Sequence, residues 1–186
     1  MPASMANANK GHPPDDQGSV QPSCADLSTA GIHTFIREGF FAKWFRCHGR
    51  ALPWRARPSP YGILLAEVLL RQTRAEMVAR VWPSLVEQFS DPVALANAEL
   101  STVRSLVARL GLGNQRAQAL LDIARAIVTI HGGQIPATLG ELSALPHVGM
   151  YISHAVLCFG YGRRVPIVDT NVMRVLARIF GLQPPK

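Results

Sequence analysis

The chain has 186 residues, 48% hydrophobic and 17% charged, which suits one globular domain with a real core. No apolar run approaches the ~20 residues of a membrane-spanning helix, and residues 1–25 lack the apolar stretch of a secretory signal. The net charge is +7, but Lys10 faces Asp15, Asp16 and Asp26 within residues 1–28, so the remainder is more basic still, and nearly all of that excess is arginine. Arginine is planar, permanently charged and forked, a better match to phosphate oxygens than a lysine point charge. A polyanion partner and a merely solvated basic surface are both consistent with this balance. Cys24, Cys47 and Cys158 form neither a disulfide framework nor a metal knuckle, which fits a reducing cytoplasm.

In chain order, residues 1–28 read as a disordered leader, rich in proline and polar residues with almost nothing apolar. A first helix is predicted over Ile32–Phe45, before the breaker Leu52-Pro53-Trp54-Arg55. From Tyr61 the pattern turns helical. Val78, Val81, Trp82, Leu85, Val86 and Phe89 share one helical face, with Pro83 predicting a kink or a late start. Leu120, Ile123, Ala124, Ile127 and Val128 repeat that spacing up to Gly132-Gly133, and Val172, Val175, Leu176, Ile179 and Phe180 repeat it near the end. Two-residue alternation is missing, so the fold class is all-α, with about eight short helices.

Three places depart from routine amphipathic patterning. Glu67 is the single carboxyl in Ile63–Leu70; buried, it would have a raised pKa and could serve as an acid near neutral pH. Equally, it could lie on a solvent stripe or pair with Arg71 one turn on. Leu145-Pro146-His147-Val148-Gly149 sits between two helical stretches, where the second helix's free N–H groups would make a phosphate seat. Ordinary helix–turn–helix packing explains the same residues. Asp169, ahead of the last helix, is placed either as an N-cap or at the mouth of a cleft bordered by that hairpin. His147, Tyr151 and His154 share a helical face, but no third ligand type accompanies them, so no metal site is expected.

Together these segments resemble the helix–hairpin–helix DNA glycosylase superfamily, in its endonuclease III branch, nearest the adenine and thymine mismatch glycosylases. The resemblance runs from about Leu52 to Leu182. Leu52-Pro53-Trp54-Arg55 with Pro60-Tyr61 is similar to the entry segment. Glu67–Thr73 is similar to the acid-and-wedge segment, Gly111–Ala117 to the opposite-strand loop, Leu145–Gly149 to the hairpin and Val165–Arg174 to the catalytic-aspartate segment. The resemblance implies a six-helix-barrel lobe (52–182) and a second, iron–sulfur lobe that includes a helix at 29–51. It further implies that Asp169 stabilises a sugar cation and positions the nucleophile, and that Glu67 protonates or holds the leaving base. Arg71, Gln72, Leu112 and Asn114 would enter the duplex or meet the opposite strand as the base flips out, and the backbone at His147, Val148 and Gly149 would grip a phosphate. Tyr151 stands where strand-cleaving relatives have a lysine. A phenol forms no Schiff base, so water would be the nucleophile and the activity monofunctional, with Tyr151 lining the base pocket.

The implied substrate is mismatched double-stranded DNA, with thymine or uracil opposite guanine slightly favoured over adenine opposite guanine or oxidised guanine. The expected setting is a monomer in the cytoplasm, at the nucleoid. Two departures stand out. His147 occupies the hairpin's usual first glycine, a strain if that position has positive φ. The chain also has 17 residues after Asp169 and no cysteine among them, so the C-terminal part of the second lobe is expected to be missing. No cofactor is expected from this chain, and a [4Fe–4S] cluster only if a further segment supplies four cysteines. A catalytically weak or inactive DNA-binding remnant is the alternative, and a helix–turn–helix regulator lacks a basic recognition helix.

Overall fold

The computed structural model describes residues 39–181, and the leader at 1–28 and the start of the first predicted helix lie outside them. Residues 1–48 and 49–186 are separate units. In the first, α1 (Phe40–His48) is helical three residues beyond the predicted end at Phe45, and the Trp44 ring stacks on His48 at 5.0 Å.

The second unit is all helix and loop among the described residues. Its elements are α2 (Pro53–Ala56), α3 (Pro60–Leu70), α4 (Ala75–Gln88), α5 (Pro92–Ala96), α6 (Leu100–Val107) and a 3-10 turn (Ala108–Leu110). They continue with α7 (Gly113–His131), α8 (Leu139–Ala144), α9 (Met150–Ala155), a π-helical turn (Val156–Gly160) and α10 (Thr170–Phe180). The sequence predicts about eight helices, and the described residues hold more because prolines start short ones. Pro53, Pro60 and Pro92 occupy the first helical turn, where a missing N–H costs nothing. The Leu52–Arg55 breaker is therefore itself the start of a one-turn helix. Pro83 brings no late start, since α4 runs through it from Ala75 to Gln88.

Local chemistry sets the ends. The Ser59 hydroxyl accepts from the Gly62 N–H at 3.0 Å, Asp91 accepts from Ala94 N–H at 2.8 Å, and Thr138 caps α8. α7 closes on Gly132 at φ 59°, and the Gly133 N–H reaches back to the Ile127 carbonyl at 3.1 Å.

The core is built around α3, in which Tyr61–Ala66, Val68 and Leu69 are all buried. Leu85 of α4, Leu120, Leu121 and Ile127 of α7, and Leu142 of α8 complete it. Polar tips are satisfied as they go in: Trp82 Nε1 donates to the Gly62 carbonyl at 3.0 Å and Tyr61 Oη to Phe89 O at 3.0 Å. One apolar stretch departs from the core that the periodicity predicts: no residue of α10 is buried, and Val172, Val175 and Ile179 of its apolar stripe are exposed. Among the described residues, no helix is long and apolar enough to cross a membrane.

The π turn lies directly on the start of α3. A Cβ on Gly160 would sit 2.7 Å from Pro60 Cα and 3.0 Å from Pro60 N, both backbone atoms that cannot swing aside. Gly160→Ala should therefore destabilise the fold by ~1–3 kcal/mol, more than the ~0.4–1 kcal/mol that a stiffer unfolded chain returns. Urea unfolding measures the difference.

Candidate active site

Glu67 projects from the middle of α3, between residues that are all buried, and is itself only partly accessible. Burial pushes its carboxyl up to about 7, against a small opposing pull from the charge of Arg55. The pairing with Arg71 does not form. Among the described residues the ion pairs are Arg50–Glu76 and His147–Asp122. An acid half-protonated at neutral pH, without a salt-bridge partner among the described residues, is equipped to deliver a proton.

Asp169 is the N-cap of α10. Its Oδ1 accepts from the Val172 N–H at 2.7 Å and its Oδ2 from Asn171 Nδ2 at 3.3 Å. Capping and a site role are thus compatible: the cap fixes the carboxylate where it stands. Tyr151, at the start of α9, connects the two. Its phenol is raised first by burial and then by the charges of Glu67 and Asp169, so it stands in the field of both carboxylates.

A cleft of about 560 Å³ opens beside it, lined by Arg71, His147, Val148, Gly149, Tyr151 and Ile152. The end of α3 and the hairpin between α8 and α9 therefore face one space. Within the hairpin, Val148 is buried and its N–H is taken by the Leu145 carbonyl at 3.3 Å. Its contribution is an apolar anchor rather than a donor. Met150 and Tyr151 are the first two residues of α9, so their N–H groups have no intrahelical partner, as expected of the helix that follows the hairpin. His147 has φ 61°, as the glycine-like position demands, and its Nε2 lies 3.1 Å from Asp122 Oδ2 of α7.

Gln72, Leu112 and Asn114 form a second group. Gln72 and Leu112 are exposed with φ 54° and 52°, and Asn114, in the first turn of α7, accepts from Arg104 at 3.4 Å. Gln72, Leu112 and His147 are the non-glycine residues with positive φ among those described. Each costs ~1–2 kcal/mol, and such strain concentrates where surroundings and function enforce it.

For a metal or cluster the residues do not fit. The chain has three cysteines where a [4Fe–4S] cluster takes four thiolates, and among the described residues no His, Cys, Asp and Glu side chains group as a metal site. No step of the chemistry is routed through one.

A helical hairpin beside a desolvated carboxyl and a capped aspartate, in an all-helical domain, defines the class of helix–hairpin–helix glycosylase folds. Over residues 65–186 the chain matches the family described as HhH-GPD superfamily base excision DNA repair protein, and it belongs to that superfamily. It is 39% identical over 145 residues to the thymine-DNA glycosylase of Aeropyrum pernix, covering 77% of this chain and 65% of the relative. It is 41% identical over 136 residues to the adenine DNA glycosylase of Mycobacterium tuberculosis, covering 73% of this chain and 44% of that one. Among solved structures, that of a thermostable thymine-DNA glycosylase superposes with a TM-score of 0.74 at 28% identity, over 80% of this chain and 69% of the other. The chain thus spans about two thirds of the first of these relatives and under half of the second.

The raised Glu67 carboxyl carries a stability consequence. Its stabilising protonated form is fully present below the ordinary value of 4.5 and is lost as pH rises through about 7. Glu67→Gln should be near neutral at pH 4 and stabilising by ~2–3 kcal/mol at pH 8, read from urea midpoints at the two pH values.

Proposed function

We propose that the protein is a monofunctional DNA N-glycosylase that flips a mispaired base out of duplex DNA and hydrolyses its bond to the sugar. The observation that carries this reading is the Tyr151 phenol in the field of two carboxylates, one of them titrating near 7. Breaking the bond leaves negative charge on the departing base and positive charge on the sugar. Protonated Glu67 neutralises the first, and Asp169, immobilised by the α10 N-terminus, stabilises the second and orients the attacking water. Tyr151 bounds the base pocket and has no amine to attack the sugar, so an abasic site is the product rather than a broken strand.

Arg71, with Gln72 beside it, enters the space the base vacates, Leu112 and Asn114 meet the opposite strand as a second wedge, and the hairpin holds a phosphate through the backbone at His147 and Gly149, with Val148 as its apolar anchor. The preferred substrate is thymine or uracil opposite guanine, with adenine opposite guanine or oxidised guanine close behind. The names of the relatives span both. The chain acts as a monomer, and a [4Fe–4S] cluster would enter only with a further segment that supplies four cysteines.

Labelled duplexes holding G·T, G·U, and A opposite oxidised guanine test this. Abasic product that breaks only after hot alkali is expected, with the rate falling as pH rises through about 7. Asp169→Asn should lower the rate by ~10²–10³ while duplex binding persists. Strand breakage without alkali would contradict the monofunctional assignment. Binding without product on any duplex would select a non-catalytic DNA-binding remnant instead.

A further inference from the structure

Arg116 is the one buried arginine among the described residues, 7% exposed, and none of the acceptors it meets is a carboxylate. Its guanidinium reaches from the first turn of α7 to two loops at once. Nε donates to the Gly111 carbonyl at 2.8 Å, Nη1 to Leu69 O at 2.9 Å, and Nη2 to Arg71 O at 2.9 Å and to the Thr73 hydroxyl. Leu69 and Arg71 belong to the last turn and C-cap of α3, where carbonyls lack intrahelical donors and the helix dipole is negative. That is what makes a permanently charged group tolerable there.

Two of these bonds fall at telling places. The Arg71 carbonyl belongs to the peptide unit that enters Gln72, and the Gly111 carbonyl to the unit that enters Leu112. Rotation about φ of Gln72 or Leu112 swings that unit relative to the side chain, so a bond to its oxygen holds φ in place. Gln72 and Leu112 are both left-handed, with φ within a few degrees of each other. One planar fork therefore restrains the strained conformation of both, from two segments about forty residues apart in sequence.

We propose that Arg116 is a positioning residue that locks the Gln72 and Leu112 loops into a single preformed two-pronged wedge, so that both prongs enter the duplex together. The proposal rests on the reading of these two residues as DNA wedges. Lysine keeps the charge but not the fork. Its three tetrahedral donors do not reproduce a planar grip on both loops.

The test uses the whole chain and a duplex carrying a tetrahydrofuran abasic analogue opposite 2-aminopurine, so that no base has to be released. Fluorescence of 2-aminopurine reports unstacking of the opposite base, and a second, unmodified duplex reports general affinity. In the natural chain, Gln72→Ala and Leu112→Ala should weaken abasic-duplex binding non-additively, by an interaction factor of about 3- to 10-fold. In the Arg116→Lys background that factor should fall to about 1 and most of the fluorescence gain should vanish, with binding to unmodified duplex changed less than about twofold.

Retention of both the interaction factor and the fluorescence gain in Arg116→Lys would overturn the proposal. So would parallel losses on the two duplexes, which would mark Arg116 as a general support of the DNA-binding surface rather than of the wedge. Should Arg116→Lys melt below the assay temperature, Arg116→Gln replaces it, keeping a planar amide donor that is too short to grip both loops. A reduced interaction factor then supports the lock, and an unchanged one overturns it. If neither alanine substitution matters in the natural chain, the wedge reading fails and takes the proposal with it. If both matter and their interaction survives loss of the fork, the proposal alone fails.

Discussion

The removal of α3 from water is the constraint on which the rest of the domain depends. Eight of its eleven residues are buried, and the neighbouring helices present their apolar faces to it. Each fully buried aliphatic side chain contributes ~1.5–3 kcal/mol, so the helix holds its place even though one of its residues is a carboxylic acid. Ionising Glu67 there costs ~2–3 kcal/mol, which several such side chains readily offset. Half of the acid stays protonated near pH 7 because the helix around it is dry, and the helix is dry because it is the centre of the core.

Both ends of that helix are fixed by groups from distant parts of the chain. At its start, the Trp82 indole, the Tyr61–Phe89 hydrogen bond and the close approach of Gly160 leave little freedom. At its end, Arg116 takes up carbonyls that the helix cannot satisfy itself. Strain is then exported to the loops beyond. Gln72, Leu112 and His147 each hold an unfavourable backbone conformation next to an anchor: the Arg116 fork for the first two, Val148 in the core and Asp122 of α7 for the third. A rigid centre with strained, anchored loops at its edge is a physical arrangement for entering another molecule without first reorganising.

Part of this was legible in the sequence. A lone carboxyl in an apolar helix reads as either desolvated, solvent-facing or paired with Arg71, and the family resemblance puts His147 in a glycine's place, where a positive φ would strain it. What escaped the sequence depended on distance in space. Nothing local distinguishes Arg116 from the other arginines, because three of its four acceptors lie more than forty residues upstream and two of those are backbone carbonyls. Val148 reads as part of a donor loop, but its N–H is spent on Leu145. The stripe of Val172, Val175 and Ile179 has the spacing of a core face, yet periodicity reports only that a face is apolar, not that anything covers it. Short helices begun by proline were misread for a simpler reason: proline breaks helices inside and starts them at the edge.

The most direct measurement is the titration of the Glu67 side chain itself, followed by carbon NMR of glutamate-labelled protein with Glu67→Gln to assign the signal. The account predicts a midpoint at about 7. A midpoint at the ordinary 4.5 would mean that water reaches the carboxyl, and the acid at the centre of the proposed chemistry would be absent at neutral pH.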